Sequence, residues 1–398
     1  MLAFAISFAT AIALLGHALV WTGVVNILHG FRGPRFLIKL GTVLCIAVFA
    51  AVPLAAVRWW WLNAPDHANL FLASGWLGPY AGACAAYGAL GFVRKLWVEH
   101  NRNDRQTLVE WTTQPRDAAK AIKGEPFVGA YARFLGALPG NEVLALTIDR
   151  KRLALPRLPA ELEGLTIAHL SDFHMTGRVG RGYYELVARA VNDLRPDVIA
   201  ITGDIIESEA CWPWLADTIG SLCAPLGVYY ILGNHDLFID ATRTRELLDG
   251  SGLTNIGCRW LRAEWNGVAV TLGGNELPWI GPAPSLEQLQ RRRSGHPEFR
   301  LVLCHTPDQF SWCVEADVDL ALAGHTHGGQ VRAPLLGVIG SPSLRGTRYA
   351  CGVFRRRDVV LHVSRGLGGQ TPVRFQCPPE LALLELTSVA REAGLATR

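Results

Sequence analysis

LTIAHLSDFH, residues 165–174, sets an apolar run of strand length, Leu165–Leu170, directly before a cluster holding two metal-binding side chains, Asp172 and His174. Residues at i and i+2 of an extended segment point to the same side, so these two can grip one ion together. The same arrangement recurs downstream. Val198–Ile201 runs into Gly203-Asp204, Val228–Leu232 into Gly233-Asn234-His235-Asp236, and Leu301–Cys304 into His305; Gly324-His325-Thr326-His327 repeats the i, i+2 spacing with two histidines. Between the first two runs, Leu186, Val187, Ala190, Val191 and Leu194 recur at helical spacing within Tyr183–Leu194. Strand, helix, strand alternation predicts an α/β architecture, a mostly parallel sheet with helices over it. In such sheets ligands sit beyond the carboxyl ends of the strands, where each polar cluster falls. The clusters are expected to converge on one edge.

Carboxylate, amide oxygen and imidazole suit manganese, iron, zinc or magnesium, and no cluster offers the thiolate pair that structural zinc sites prefer. Taken singly, a Gly-Asp after a strand reads as a turn or a helix cap, and an Asp-x-His as an accident of composition. Asn234-His235-Asp236 is more informative, because turns favour Asn and Asp but have little use for the histidine. Two histidines among Gly324, Gly328 and Gly329 are a costly way to build a plain loop, since glycine surrenders much backbone entropy on folding. All five clusters in this order point to a phosphate-ester hydrolase holding two metal ions. The His-Glu-x-x-His and Cys-x-x-Cys patterns of metallopeptidases and deaminases are missing from the chain.

The series D-x-H, G-D, G-N-H-D, H, G-H-x-H resembles the signature of the calcineurin-like metallophosphoesterase family, over about Leu165–Leu386. Gly324–Gln330, Val363–Gly368, Pro372–Phe375 and Pro378–Glu380 are similar to its membrane-associated bacterial branch, which includes UDP-2,3-diacylglucosamine pyrophosphohydrolase-type enzymes and phosphodiesterases. The resemblance implies a two-sheet sandwich flanked by helices. It also implies that Asp172, His174 and His327 hold one metal, that Asn234, His305 and His325 hold the other, and that Asp204 bridges them. His235 then contacts the phosphate and protonates the leaving oxygen. The cofactor expected is two divalent ions, manganese first, with iron, zinc or magnesium as alternatives. Asp236, adjacent to His235, orients it or does something else; Arg365 either reaches a phosphate or is an ordinary surface arginine. Cys304 reads as a small buried hydrophobe.

The first quarter of the chain is of another kind. Met1–Leu28, Leu40–Val57 and Ala68–Val93 carry no charged residue, and each is long enough to cross a hydrocarbon core of about 30 Å. Trp59, Trp60, Trp61 and Trp97 at their ends fit an aromatic interface belt. These observations predict an all-α transmembrane region of three helices over 1–98. Arg32, Arg35 and Lys39 in the first loop, and Arg94, Lys95, Arg102 and Arg105 after the third span, put the catalytic domain in the cytoplasm. Nine cysteines without a dense framework agree with a reducing compartment. His17 and Asn26 are polar exceptions that a helix bundle can satisfy. Residues 99–142 read as a linker in which Phe127, Val128, Tyr131, Phe134, Leu135 and Leu138 form one apolar stripe, packed on the enzyme core or lying in the membrane interface. Residues 143–390 form the metallophosphoesterase domain.

The partners expected are a phosphodiester or pyrophosphate substrate, lipid-linked given the anchor, and the membrane itself. Nucleic acid is not expected, because the runs Arg291–Arg293 and Arg355–Arg357 read as solvated faces, or as contacts with anionic head groups. The competing reading is a catalytically inactive membrane scaffold or transporter-like protein carrying a phosphoesterase-fold domain.

Overall fold

Each apolar run becomes a strand whose carboxyl end opens into its polar cluster. The computed structural model describes residues 2–63, 70–72, 75–122, 124–289, 292, 297–334 and 336–396. The chain begins with α1 (Leu2–Gly30), α2 (Arg35–Asn63) and α3 (Leu77–His100), then β1 (Leu108–Asp117), α4 (Ala118–Ala121), α5 (Ala130–Gly136) and β2 (Ala145–Leu155). The central part comprises β3 (Thr166–Leu170), α6 (Arg181–Leu194), β4 (Val198–Thr202), β5 (Val228–Ile231), α7 (Ala241–Gly250), β6 (Thr254–Asn255), β7 (Trp260–Trp265), β8 (Val268–Asn275) and β9 (Glu298–Cys304). It ends with α8 (Phe310–Glu315), β10 (Leu320–Ala323), β11 (Arg332–Ala333), β12 (Gly337–Val338), β13 (Gly352–Arg356), β14 (Val359–Val363), β15 (Glu380–Ser388) and α9 (Val389–Ala396).

A seven-stranded sheet has the order β1-β2-β15-β3-β4-β5-β6, and a six-stranded sheet the order β13-β14-β10-β9-β8-β7. The site-bearing strands pair in parallel: β3 with β4 and β4 with β5 in the first sheet, β9 with β10 in the second. Parallel pairing aligns their carboxyl ends, so the residues that follow emerge on the same edge. Alternate side chains divide between two cores. Val198 and Ala200 of β4 join Leu301, Leu303, Leu320 and Leu322 between the sheets, while Ile199 and Ile201 pack with Val187 and Val191 of α6 on the outer face. A strand buried on both faces must be apolar at every position, which is why these runs read as continuous rather than alternating.

By its internal contacts the chain divides into two units, Met1–Asn101 with Ala333–Arg348, and Arg102–Arg332 with Tyr349–Arg398. Within the helical unit, His17 Nδ1 lies 2.7 Å from the Tyr80 hydroxyl and its Nε2 3.0 Å from the Phe49 carbonyl, so three helices share one polar knot. Asn26 Oδ1 accepts from Ser341 N at 2.9 Å. Two helices, Ala5–Gly30 and Phe36–Leu62, are long and apolar enough to cross a membrane by length and composition. The third expected span differs. Parts of it, Ala68-Asn69 and Ala73-Ser74, lie outside the described residues, and the helix α3 starts only at Leu77. Its 17 uncharged residues, Leu77–Val93, extend about 25 Å.

The segment read as a linker contains more than an apolar stripe. Residues 108–117 form β1, an edge strand antiparallel to β2. The stripe itself yields only the seven-residue α5; Phe127 precedes that helix and bridges to Val179, and Phe127 and Ala132 are buried in the core. Val128, Tyr131 and Phe134 are exposed. The short helix therefore splits the stripe: its inner side packs on the enzyme, and three large apolar side chains face outward.

Candidate metal centre

Turns at the strand ends bring the clusters together at the expense of backbone strain. Asp172 (φ 52°), His174 (48°), Asp204 (53°), His325 (69°) and His327 (51°) all occupy the left-handed region. That conformation costs a non-glycine residue about 1–3 kcal/mol, and it persists only where the surroundings over-determine it. Here they do: Asp172 N donates to Gly203 O at 3.0 Å, His174 N to Asp204 O at 2.9 Å, and His325 N to the Asp172 carboxylate at 3.0 Å. Close approach also demands two glycines. A Cβ on Gly324 would stand 1.8 Å from Ser171 Oγ, and one on Gly233 would stand 2.2 Å from Asp204 Oδ1.

All seven residues singled out as ligands meet at this edge. Asp172, His174, Asp204 and His327 form one group of donors, Asp204, His305 and His325 a second, each with its ligand atoms within 4.8 Å of one another. Asp204 belongs to both. Asn234 Oδ1 lies 3.0 Å from His305 Nε2, placing the amide beside the second group. His235 is held beside the first, its ring 4.8 Å from that of His174.

The hydrogen bonds around the rim decide which way the imidazoles face. His305 Nδ1 donates to the Thr202 carbonyl at 2.7 Å, His327 Nδ1 reaches the Gly368 carbonyl at 3.3 Å, and His174 Nδ1 binds the Glu207 carboxylate. Occupying Nδ1 in this way leaves each Nε2 with its lone pair turned inward. Those lone pairs then confront other acceptors. His174 Nε2 is 3.0 Å from His327 Nε2, and His305 Nε2 is 3.0 Å from Asn234 Oδ1 and 3.3 Å from Asp204 Oδ2. His325 turns its Nδ1 to within 3.1 Å of His305 Nε2. Acceptors facing acceptors repel unless a cation, or without it a proton such as the one His305 takes up, lies among them. Asp204 Oδ2, fully buried, has no hydrogen-bond partner among the described residues. The donor set therefore fits divalent cations on its own chemistry.

Charges in the pocket tell the same story. Burial would raise the Asp204 carboxyl, but the imidazoles of His305, His235 and His174 outweigh it and hold the group well below the usual carboxylate range. Burial would lower His305, yet the Asp204 carboxylate pushes it up to about 9. Burial, with the charge of a neighbouring imidazole, keeps His325 and His327 well below the usual histidine range, hence neutral and able to ligate. A proton on His305 stands where a cation would; metal binding would release it.

Three residues that the sequence left open or passed over take defined places. Glu207 links His174 to His235, whose Nδ1 lies 3.1 Å from its Oε2; against burial, the two imidazoles lower its carboxyl to about 2. A bridge between Met175 and Ile206 sets Glu207 beside His174, and its only sequence signal is an acid three residues after Asp204. Asp236 does not orient His235. Its Oδ1 accepts from Ile205 N and Ile206 N at 2.8 and 2.9 Å and its Oδ2 from Gly233 N at 2.7 Å, pinning the Asp204 loop to the Asn234 loop. Arg365 is neither at the surface nor aimed at a phosphate. It is buried, with Nη1 3.1 Å from Asp149 and Nη2 donating to Thr147 Oγ1 at 2.8 Å, inside a network that includes Glu380 and Lys151. Cys304 is buried, 3.4 Å from Cys313, as a small hydrophobe should be. Arg292 pairs with Asp317 and Asp319, whereas Arg291 and Arg293 lie outside the described residues.

The calcineurin-like phosphoesterase family profile matches residues 165–329, the span that supplies every strand end at the site. The metallophosphoesterase YkuE of Bacillus subtilis, itself uncharacterized, is 30% identical over 238 residues, which are 58% of this chain and 82% of that one. The chain belongs to the calcineurin-like metallophosphoesterases. Other relatives of this metallophosphoesterase carry more specific names. The UDP-2,3-diacylglucosamine pyrophosphatase LpxG of Chlamydia trachomatis is 26% identical over 298 residues, 60% of this chain and 88% of the relative. A Bos taurus transmembrane protein with a metallophosphoesterase domain is 25% identical over 352 residues, 81% of this chain and 76% of the relative. The two long apolar helices and this last relative point to membrane association of the metallophosphoesterase.

Proposed function

We propose that this protein is a membrane-anchored phosphoesterase that hydrolyses a phosphodiester or pyrophosphate bond at two divalent ions, on a lipid-linked substrate. The observation that carries the reading is the convergence of imidazole lone pairs on acceptor oxygens around a buried, unpartnered Asp204 Oδ2. In this reading Asp172, His174 and His327 would hold one ion and Asn234, His305 and His325 the other, with Asp204 available to both. When bound, such ions supply Lewis-acid charge and lower the pKa of a water. The chain itself supplies the proton: His235, partly exposed and steadied by Glu207, donates to the leaving oxygen. Manganese is the first candidate for an oxygen and imidazole donor set, before iron, zinc or magnesium.

The lipid-linked substrate is supported by the apolar helices, by the outward-facing Val128, Tyr131 and Phe134, and by a relative whose name specifies a diacylated sugar nucleotide. Residues 1–98 serve as the anchor, and 143–390 as the catalytic domain. Full-length protein in nanodiscs, stripped and reloaded with each metal, is to be assayed on a phosphomonoester, a phosphodiester and UDP-diacylglucosamine. Hydrolysis by the reloaded protein alone is expected; failure with every metal and substrate would leave the scaffold reading. Turnover of soluble diesters without any lipid-linked substrate would remove the amphiphile.

A cytoplasmic catalytic domain requires α3 to cross as well, so its short uncharged stretch needs local thinning of the bilayer or burial of its end. Cys223 is exposed and reports the side. An impermeant thiol reagent applied to intact cells should leave it unlabelled; labelling would mean that only two helices cross.

A further inference from the structure

The helical unit contains a segment that does not belong to the helices. Ala333–Arg348, which starts six residues after His327, groups with α1–α3 by its contacts, and polar links among the described residues tie it to α1 and α3. Val338 N donates to Glu99 Oε1 at 3.1 Å, Lys95 Nζ donates to the Val338 carbonyl, and Ser341 N donates to Asn26 Oδ1. The fit is close at Gly30, where an added Cβ would stand 2.9 Å from Leu344 N. Asn26, a buried amide in an uncharged helix, thus receives this segment.

Together α1, α3 and the segment enclose a cavity of about 100 Å³, lined by Asn26, Tyr87, Arg94, Lys95, Ile339 and Thr347 among others. It holds several times the roughly 10–15 Å³ a water needs, yet falls below the ~300 Å³ floor of sites for drug-sized ligands. A head group or a small anion fits it, and a whole lipid does not. The charge around it is one-sided. Arg94 and Lys95 belong to its walls, and no carboxylate does; Arg345 and Arg348 flank the lining residues Gly346 and Thr347 in sequence, and nearby Glu99 accepts from Val338. Arg94 forms no ion pair among the described residues. It directly follows the uncharged stretch of α3, and Trp97, exposed, lies one turn further on; with α3 crossing as proposed above, the cavity falls at the depth of lipid phosphates.

We infer that this cavity binds a phosphate-bearing anion at the membrane boundary, with Arg94 as its charged donor and the Thr347 hydroxyl as a second. The site shares no residue with the metal centre and does not depend on the phosphoesterase reading. Its test uses metal-free, delipidated full-length protein in detergent. Didecanoyl phosphatidylglycerol, didecanoyl glycerol and inorganic phosphate are titrated against it by thermophoresis. The phosphatidylglycerol is expected to bind and the phosphate-free diglyceride not. Arg94→Gln should weaken binding at least tenfold and Thr347→Val about threefold, while Arg58→Gln, outside the cavity, should leave it unchanged. Displacement by millimolar inorganic phosphate would assign the affinity to the phosphate group itself; retention of the lipid against it would make the lipid the source. Equal binding of the two glycerides, or wild-type affinity in both cavity variants at unchanged melting temperature, would overturn the inference.

Discussion

Replacing Glu207 with glutamine keeps the shape of the side chain and removes its charge from between two imidazoles. The Glu207 carboxyl is lowered from 4.5 to about 2 by His174 and His235. At 1.36 kcal/mol per pH unit, the shift corresponds to roughly 3 kcal/mol, the net that the two histidines supply over opposing burial. Half of that, assigned to His174, amounts to about a tenfold change in how firmly its Nε2 lone pair is presented. Loss of a carboxylate behind a metal-ligating histidine typically lowers metal affinity or activity 10–100-fold, so Glu207→Gln should raise the apparent metal dissociation constant by about that factor. The assay is hydrolysis of bis-p-nitrophenyl phosphate across buffered manganese concentrations, with bound metal measured by plasma mass spectrometry. Saturating metal should recover most of kcat; the remainder that metal does not recover is owed to His235, which Glu207 also contacts. Wild-type metal affinity together with wild-type kcat at saturating metal would show that Glu207 neither orients His174 nor steadies His235.

Asp204→Asn should deplete both ions and abolish most activity, whereas His235→Ala should retain metal and slow turnover by about 10²-fold; equal metal loss in the two would refute their separate roles. Asp236→Ala leaves three buried backbone donors unpaired, at about 1 kcal/mol or more each, and should lower stability by roughly 2–4 kcal/mol in thermal unfolding. An effect on kcat alone would restore Asp236 as a partner of His235. Burial lowers His169 from 6.5 to about 3, so the unfolded chain takes up its proton first as the pH falls. The stability it contributes is full above pH 6.5 and lost as the pH drops toward 3, at up to about 1.4 kcal/mol per unit. His169→Gln should flatten the denaturation midpoint over that window; an unchanged slope would place the acid sensitivity elsewhere.

The sequence carried the four strands that lead into the site and nominated the seven side chains that the fold brings to one edge, because each depends on a short window. An apolar run of four to six residues buried on both faces, followed at once by a polar cluster, is visible without any partner. The pairing of Asp172 with His174 holds for another reason than the extended i, i+2 segment expected: both residues are left-handed, and the turn after β3, not strand alternation, aims them together. Apolar length likewise announced α1 and α2, though not where α3 begins, since its early residues are apolar without entering the helix. What no window holds is the identity of a partner far along the chain. Asp236 looked like a neighbour of His235 but bonds to Ile205 and Ile206; Arg365 looked like a surface or phosphate residue but is buried against Asp149, 216 positions earlier. β1 was hidden because an edge strand with exposed side chains has no apolar run to betray it. Asn26 was an anomaly until Ser341 reached it. Local chemistry thus nominated groups for the site, while parallel pairing and the packing of distant loops decided which meet and how they face one another, because a buried polar group must find its partner wherever the topology delivers one.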